Sequence, residues 1–382
     1  MIKRDSKIEN ILDQIPTPCY ILEEELFEQN LKLLQYVGKE SGAKILLALK
    51  GYAFYESFGL AKTYLDGCCA SGLYEAMLAN EEFGKEIHTF SPAFKEDEID
   101  EIIKLSTHIS FNSFSQYKKY KKKTKDRVSS GIRVNPESSF ATAKLYNPCA
   151  LNSRLGVIIS EFEPEFLDGI EGLHFHALCE QNADALEIVL KSFEEKFGKF
   201  ISKMKWINFG GGHHITRDDY DVRKLIAIIK NFKKRYNNIE VFLEPGEAVG
   251  WRSGVLVATV LDKIVNGMDI AILDTSAEAH MPDTIIMPYR AEIRNAGLKG
   301  EKRYTLRLGG NSCLSGDIMG DYSFDEPLEI GQKIIFEDQM HYSIVKNTTF
   351  NGIKLPSLGI LRKNGKFEIV KKFNYSDYKR RN

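Results

Sequence analysis

Through the first two-thirds of the chain, short runs of consecutive apolar residues alternate with longer segments in which apolar residues recur every three or four positions. The short runs read as buried strands at Ile45–Leu49, Gly67–Ala70, Ile87–Phe90, His108–Phe111, Gly131–Val134, Gly172–Phe175, Trp206–Phe209 and Glu240–Leu243. Between them Phe54–Leu65, Leu73–Phe83, Glu96–Leu105, Ala183–Phe200 and Val222–Tyr236 carry the helical period. Strands that are apolar throughout, rather than on alternate residues, belong to a parallel sheet covered on both faces. About eight such units predict a closed (β/α)8 barrel, with an open doubly wound sheet as the competing architecture. The residues that end the runs favour the barrel, because Lys50, Ser71, Ser91, Asn112, Asn135, His176, Gly210 and Glu244 stand at the carboxyl ends, where barrel enzymes hold their sites.

After about Trp251 the pattern changes to short strands and turns: Val255–Leu261, Ile270–Leu273, Tyr304–Leu308, Lys333–Phe336 and Tyr342–Val345. The segment from Gly359 to Val370 reads as a hairpin, with Asn364-Gly365 as a type I′ turn. The expectation is a barrel over 18–252 and an all-β domain over 253–382, which residues 1–17 are candidates to join. Lys118–Lys125 reads as the exposed face of a helix, and the basic residues near the carboxyl terminus as solvated charge.

Composition narrows the function. The chain has 382 residues, 52 Lys plus Arg against 53 Asp plus Glu, and a formal net charge of −1. That length supports a large core in two domains, and the charge balance removes the overall electrostatic footprint of a nucleic-acid binder. The amino-terminal residues alternate charged and apolar positions instead of forming a leader's apolar core, and the apolar runs are far shorter than the ~20 residues that span a bilayer. A cytoplasmic protein without membrane partners is expected. The six cysteines (Cys19, Cys68, Cys69, Cys149, Cys179, Cys313) form no C-x-x-C pair, so most are expected to be reduced and buried.

Four features carry candidate chemistry. Lys50, at the end of an apolar strand, is either a salt-bridged strand-end residue or a Schiff-base lysine. Gly210-Gly211-Gly212 lies between a strand and a helix, where backbone N–H groups could close around a phosphate, although glycine runs are also ordinary turns. The spacing fits neither a nucleoside-triphosphate loop nor a dinucleotide fingerprint. Glu244, followed by Pro245-Gly246, is either half of a structural ion pair or a carboxylate set against a pyridinium nitrogen. His174 and His176, two apart on one strand, are the metal candidates of the sequence, with His213 and His214 as possible completions of a metal-dependent hydrolase site. No strand-end aspartate cluster supports that reading, and no metal is assigned.

Ala48-Leu49-Lys50, Cys69-Ala70-Ser71, Ser153-Arg154-Leu155-Gly156, His174-Phe175-His176, Gly210-Gly211-Gly212, Glu244-Pro245-Gly246, the Asn311–Asp317 segment with Cys313, and Phe350-Asn351-Gly352 follow one another along nearly the whole chain. In that order they resemble the alanine-racemase-fold (fold type III) pyridoxal-phosphate decarboxylases. The variants His174–Glu180, Glu244–Glu247 and Asp274–Asp283 resemble the branch acting on carboxynorspermidine and carboxyspermidine. The resemblance implies a pyridoxal 5′-phosphate cofactor bound covalently by Lys50, with His176 stacked on the ring, Glu244 at its nitrogen and Arg154 near its hydroxyl. It also implies that Gly210, Gly211, Gly212 and Tyr342 hold the phosphate. Cys313 matches the family's acid cysteine, on a loop that in relatives completes the site of the neighbouring subunit of a homodimer. Apart from the resemblance, Asp274 and Asp317 are the acids expected to meet the substrate's amines, with surface turn and loop charge as the competing reading.

Some positions depart from the wider family. Glu247 stands where relatives carry a phosphate-binding arginine, Cys179 where they carry a serine, and Cys68 where the ornithine branch has an aspartate. Met287 stands roughly where diaminopimelate decarboxylases carry an arginine, so the far end of the substrate is expected to be cationic. Three alternatives remain: a non-catalytic cofactor-binding or decoy relative, a decarboxylase of the same fold acting on a different amino acid, and the metal hydrolase.

Overall fold

The computed structural model describes residues 6–141, 144–287 and 289–382. Residues 1–5, which begin the segment expected to join the all-β domain, and Pro288, beside Met287, lie outside the described residues. The described chain forms two compact units, residues 30–249 and residues 6–29 with 250–382. This corrects the expected boundary at residue 18. Strand β1 (Cys19–Glu23) pairs antiparallel with β10 (Gly254–Val265) and parallel with β15 (Ser357–Leu361), so it belongs to the sheet rather than to the barrel.

The first unit is a closed parallel barrel of β2 (Lys44–Ala48), β3 (Gly67–Ala70), β4 (Glu86–Phe90), β5 (His108–Phe111), β6 (Ser129–Arg133), β7 (Ile170–His174), β8 (Trp206–Asn208) and β9 (Glu240–Leu243). The ring closes where Lys44 and Ile45 of β2 register with Phe242 and Leu243 of β9, which removes the open sheet from consideration. All eight strands read from the sequence are present, shifted by no more than about two residues at either end. Helix Ala183–Ile201 buries Leu186, Val189, Leu190, Phe193 and Phe197, spaced three and four apart on one face. The indole of Trp206 occupies the barrel interior: a Cβ at Gly131 or Gly172 would meet that ring at 2.4 or 2.0 Å. Trp206 Nε1 donates to Ser129 Oγ at 2.8 Å, so the ring's polar edge is satisfied.

Two expected helices are shorter than their periodicity. Phe54–Leu65 contributes a 3-10 turn and then Phe58–Ala61, while Leu73–Phe83 passes from α to π geometry at Ala79. The lysine-rich segment is the exposed side of helix Phe114–Thr124, which buries Phe114, Tyr117 and Tyr120 and is capped by the Ser113 hydroxyl accepting from Gln116 N–H.

The second unit is a mixed sheet in the order β13-β12-β11-β10-β1-β15-β16, with β14 also on β10. Its remaining strands are β11 (Asp269–Leu273), β12 (Tyr304–Gly309), β13 (Ile318–Phe324), β14 (Lys333–Glu337) and β16 (Phe367–Lys371). Strand β13 escaped the sequence reading because Gly320, Asp321 and Ser323 interrupt its apolar residues. The hairpin of β15 and β16 is present, but its turn is not type I′. Only Gly365 has positive φ, and its N–H donates to Arg362 carbonyl, the pattern of a type I turn followed by a glycine bulge. Tyr342–Val345 is a 3-10 turn rather than a strand. No helix among the described residues is long and apolar enough to cross a membrane.

Candidate active site

The carboxyl ends of the barrel strands gather Lys50, His176, the triple glycine and Glu244. Lys50 follows β2, where Ala48 N–H donates to Pro245 carbonyl and Leu49 N–H to Cys69 carbonyl. The β2 end therefore rests directly on the Pro245-Gly246 turn, and a Cβ at Gly246 would lie 3.0 Å from Ala48 carbonyl oxygen. Lys50 is exposed, although it follows an apolar strand. Its charge acts on Glu75, His174, His176 and Glu244.

Glu244 is 8% exposed and accepts from Asn208 Nδ2 at 2.7 Å through Oε1, while His174 Nε2 lies 3.6 Å from Oε2. Burial by itself would raise this carboxyl. His174, His88, the Asn208 amide and Lys50 together outweigh burial and hold Glu244 below the usual carboxylate range. Burial also pushes His174 down to about 3, so near neutral pH its imidazole is uncharged while Glu244 carries its charge. The two histidines separate in role. His176 Nδ1 accepts from Gly211 N–H at 2.8 Å, which puts the ring proton of the neutral imidazole on Nε2.

The glycines act chiefly through their lack of a side chain. Gly210 N–H donates to Asn208 Oδ1 and Gly211 N–H to His176 Nδ1, so two of the three donors expected to face an anion are committed within the chain. A Cβ would lie 2.3 Å from Glu244 carbonyl oxygen at Gly211 and 2.1 Å from that of Leu178 at Gly212, where φ is +82°. Glu247, in the place of the usual arginine, turns its carboxylate to His214 Nε2 at 3.0 Å.

Arg154 is exposed on a loop tied down by Asn112, whose amide donates to Arg154 carbonyl and accepts from Gly156 N–H. The buried cation at this end is Arg133, the last residue of β6, with its guanidinium 4.4 Å from the Phe90 ring and Nη2 donating to His176 carbonyl at 3.3 Å. Sequence reading passed over Arg133, Asn208 and Glu75. The first two end strands that had been recognised, and Glu75 accepts from Ser71 N–H just after the Cys69-Ala70-Ser71 motif. Strand-end position was the available clue.

In the second unit two separate motifs meet: Cys313 N–H donates to Asn351 Oδ1 at 2.7 Å, and Cys313 is exposed. Asp317 is 3% exposed, with Oδ1 accepting from Ala277 and Glu278 N–H and Oδ2 from Ser312 N–H. Asp274 Oδ1 accepts from Thr259 N–H, and burial raises its carboxyl. Tyr342 opens its turn at φ +46°, with Lys346 Nζ 5.0 Å from its ring. All six cysteines are free. Only Cys19 and Cys68 are buried, fewer than expected. Among the described residues, His174 and His176 belong to no group of three ligands able to hold a metal; such a group is formed by Glu86, His88 and His108.

An eight-stranded parallel barrel with a lysine, an ionised carboxylate and a glycine loop at its strand ends, in a chain that also builds a mixed sheet, defines a class of cofactor-dependent lyases. The chain matches the family described as pyridoxal-dependent decarboxylase, C-terminal sheet domain, over residues 19–339, and it belongs to that family. It is 56% identical to a carboxynorspermidine/carboxyspermidine decarboxylase of Campylobacter jejuni, over 97% of this chain and 99% of that one. It is 44% identical to a carboxyaminopropylagmatine decarboxylase of Synechocystis, over 97% and 96%. A crystal structure of the Campylobacter jejuni carboxynorspermidine decarboxylase complexed with norspermidine superposes with a TM-score of 0.90 at 55% identity, covering 96% of this chain and all of that one. The diaminopimelate decarboxylase of Helicobacter pylori, at 18% identity and a TM-score of 0.82, shares the fold.

Proposed function

We propose that this chain decarboxylates carboxynorspermidine and carboxyspermidine to the corresponding linear triamines, using pyridoxal 5′-phosphate. The observation that carries the reading is Glu244, buried yet ionised at the strand ends that also present Lys50 and the triple glycine. These residues suit the cofactor. Both ring nitrogens of His174 are buried without hydrogen-bond partners beside the ionised Glu244. When bound, the cofactor supplies an electron sink for the pair left behind as carbon dioxide departs.

The chain's own residues do the rest. Lys50 offers the amine for covalent attachment, and its exposure leaves it reachable by an incoming aldehyde. Glu244 holds a fixed negative charge, with Asn208 locking one of its oxygens, and would stabilise a proton on the ring nitrogen of a bound cofactor. His176, neutral and fixed by Gly211 N–H, presents a flat imidazole for stacking. With Gly210 and Gly211 N–H committed, Gly212 N–H is the glycine donor left for the phosphate, and Tyr342 is the proposed second contact. Arg154 and the buried Arg133 are the cations proposed for the ring-hydroxyl side.

Cys313 is the proposed proton donor to the α-carbon, serving a neighbouring subunit of a homodimer. Asp317, its carboxylate spent on three backbone N–H groups, positions that loop through Ser312. Asp274 remains the proposed partner of a substrate amine. Preference for a linear carboxylated polyamine rests on the higher identity to the Campylobacter enzyme. The Synechocystis relative makes a guanidinium-ended substrate the alternative to be measured alongside.

Carbon dioxide release from purified, cofactor-loaded protein with carboxynorspermidine, carboxyspermidine and carboxyaminopropylagmatine tests the reading. Release is expected with the first two, accompanied by a hydride-trapped adduct on Lys50; no release with any of them overturns it. In Cys313→Ala the chromophore should persist while turnover falls by about 10²–10⁴-fold. Unchanged turnover removes Cys313 from the proton transfer.

A further inference from the structure

Glu86 and His88 alternate along β4 and so face the same side, and His108 of β5 is the direct register partner of His88. Glu86 and His108 each begin their strands, at the amino end of the barrel, opposite the strand ends that carry Lys50 and Glu244. We propose that Glu86, His88 and His108 form a binding site for a divalent transition-metal ion of the zinc class, tying β4 to β5 at the closed end of the barrel.

Three observations support this. One ligand atom from each residue lies within 4.8 Å of the other two. Zinc places neighbouring tetrahedral ligands about 3.3 Å apart, a spacing that Glu86 Oε2 and His88 Nε2 already approach at 3.6 Å. Second, His88 is 4% exposed, and its Nε2 and Glu86 Oε2 are both buried without hydrogen-bond partners, facing each other at 3.6 Å. Two facing polar atoms, each lacking a partner, are costly in a folded interior unless something bridges them.

Third, the hydrogen bonds around Thr107 set the His108 tautomer. Thr107 Oγ1 gives its single proton to Ile87 carbonyl at 3.0 Å, so at its 3.0 Å contact with His108 Nδ1 it accepts. Nδ1 carries the proton, and Nε2 is left with its lone pair. An outer hydrogen bond that fixes a ligating imidazole in this way is the usual companion of a metal-bound histidine.

Two imidazoles and one carboxylate select zinc or cobalt over magnesium or calcium, which take oxygen ligands. The other groups around the cluster are Lys44, Glu240, Trp206 and Phe242. Lys44 Nζ binds Glu86 through Oε1 and Glu240 Oε1 at 2.7 Å, which leaves Glu86 Oε2 turned toward His88. Its charge opposes a second cation. The rings of His88 and His108 stack at 3.9 Å between centroids, against Phe242 and Trp206, so the remaining walls are aromatic.

The test is metal retention by the cofactor-loaded protein, stripped with a chelator and dialysed against zinc or cobalt(II) ions, with metal per chain read by mass spectrometry. One equivalent should remain, and cobalt should give the visible absorption of a low-coordinate nitrogen and oxygen site. Thr107→Val, an isosteric surface change, should weaken affinity by about 10–100-fold by freeing the His108 tautomer. Lys44→Gln should strengthen it, and His88→Gln with His108→Asn should abolish it. Stripped protein that retains no metal overturns the proposal. So does equal retention by the double variant, because the ion then lies elsewhere, for instance near the histidines at the other end. If the double variant does not fold, opposite shifts for Thr107→Val and Lys44→Gln support the site, and the absence of either shift overturns it.

Discussion

Glu244 and Glu86 are both ionised carboxylates of one barrel, at opposite ends of its strands, and they differ in what holds their charge. Glu86 at the amino end is neutralised by a lysine, with Lys44 shared between it and Glu240. Glu244 at the carboxyl end is supported by an amide, by the neighbouring His174 and by the field of Lys50, with no cation bonded to it among the described residues. Lys44 satisfies Oε1 of Glu86 and so contributes to stability, leaving Oε2 turned toward His88, whereas Glu244 keeps its negative potential in a buried setting and is poised for a cationic ligand. The same contrast separates the lysines. Lys44 is tied to two carboxylates, whereas Lys50, just past the other end of the same strand, projects exposed.

The comparison breaks most visibly on those two lysines. Lys50→Ala should lose the hydride-trapped adduct and lower turnover by about 10⁴-fold or more, as expected when a nucleophile is removed from a site acting as a unit. Lys44→Ala should leave turnover within about tenfold. A comparable loss in both, with the fold intact by circular dichroism, means that the two ends are not functionally distinct.

The carboxylates give the next contrast. Glu244→Gln keeps the shape and removes the charge, and turnover should fall by about 10²–10³-fold, the scale of losing one preorganised electrostatic contact. Steady-state carbon dioxide release measures it, and turnover within twofold of the parent removes Glu244 from the chemistry.

Glu86→Gln should act on stability instead, costing on the order of 1–3 kcal/mol near neutral pH after allowance for its partial exposure. Because the folded state holds Glu86 at about 2, the unfolded chain binds more protons between its ordinary value and that point. The contribution is complete above the ordinary carboxylate range and fades as pH falls toward about 2. Urea melts of parent and variant should therefore converge in acid. A gap that stays constant with pH assigns the loss to packing.

Much of this was legible in the chain. Eight continuously apolar runs, each ending in a polar residue, predicted the eight barrel strands and the end at which Lys50, His176 and Glu244 stand, because burial on both faces imposes a pattern that neighbours along the sequence already display. The Gly210–Gly212 loop was also visible, though its reason was not. Sequence suggested donors for an anion, whereas the backbone of Glu244 and Leu178 approaches too closely for any Cβ. Strand β1 was assigned to the wrong unit, since Cys19–Glu23 is equally apolar in either sheet and only pairing with β10 and β15 distinguishes them.

By itself, then, the sequence determined the architecture of the barrel, the residues at its strand ends and the membership of a family, all of which depend on local periodicity and on short ordered motifs. Tertiary structure alone decided which charges are matched. Arg133 against Phe90, Asn208 on Glu244, Asp317 spent on three backbone N–H groups, and Glu86 with His88 and His108 are juxtapositions across strands and loops. A side chain's electrostatic environment is set by groups within a few ångströms of it in space, and the closing of the barrel brings those groups together from positions far apart in the chain.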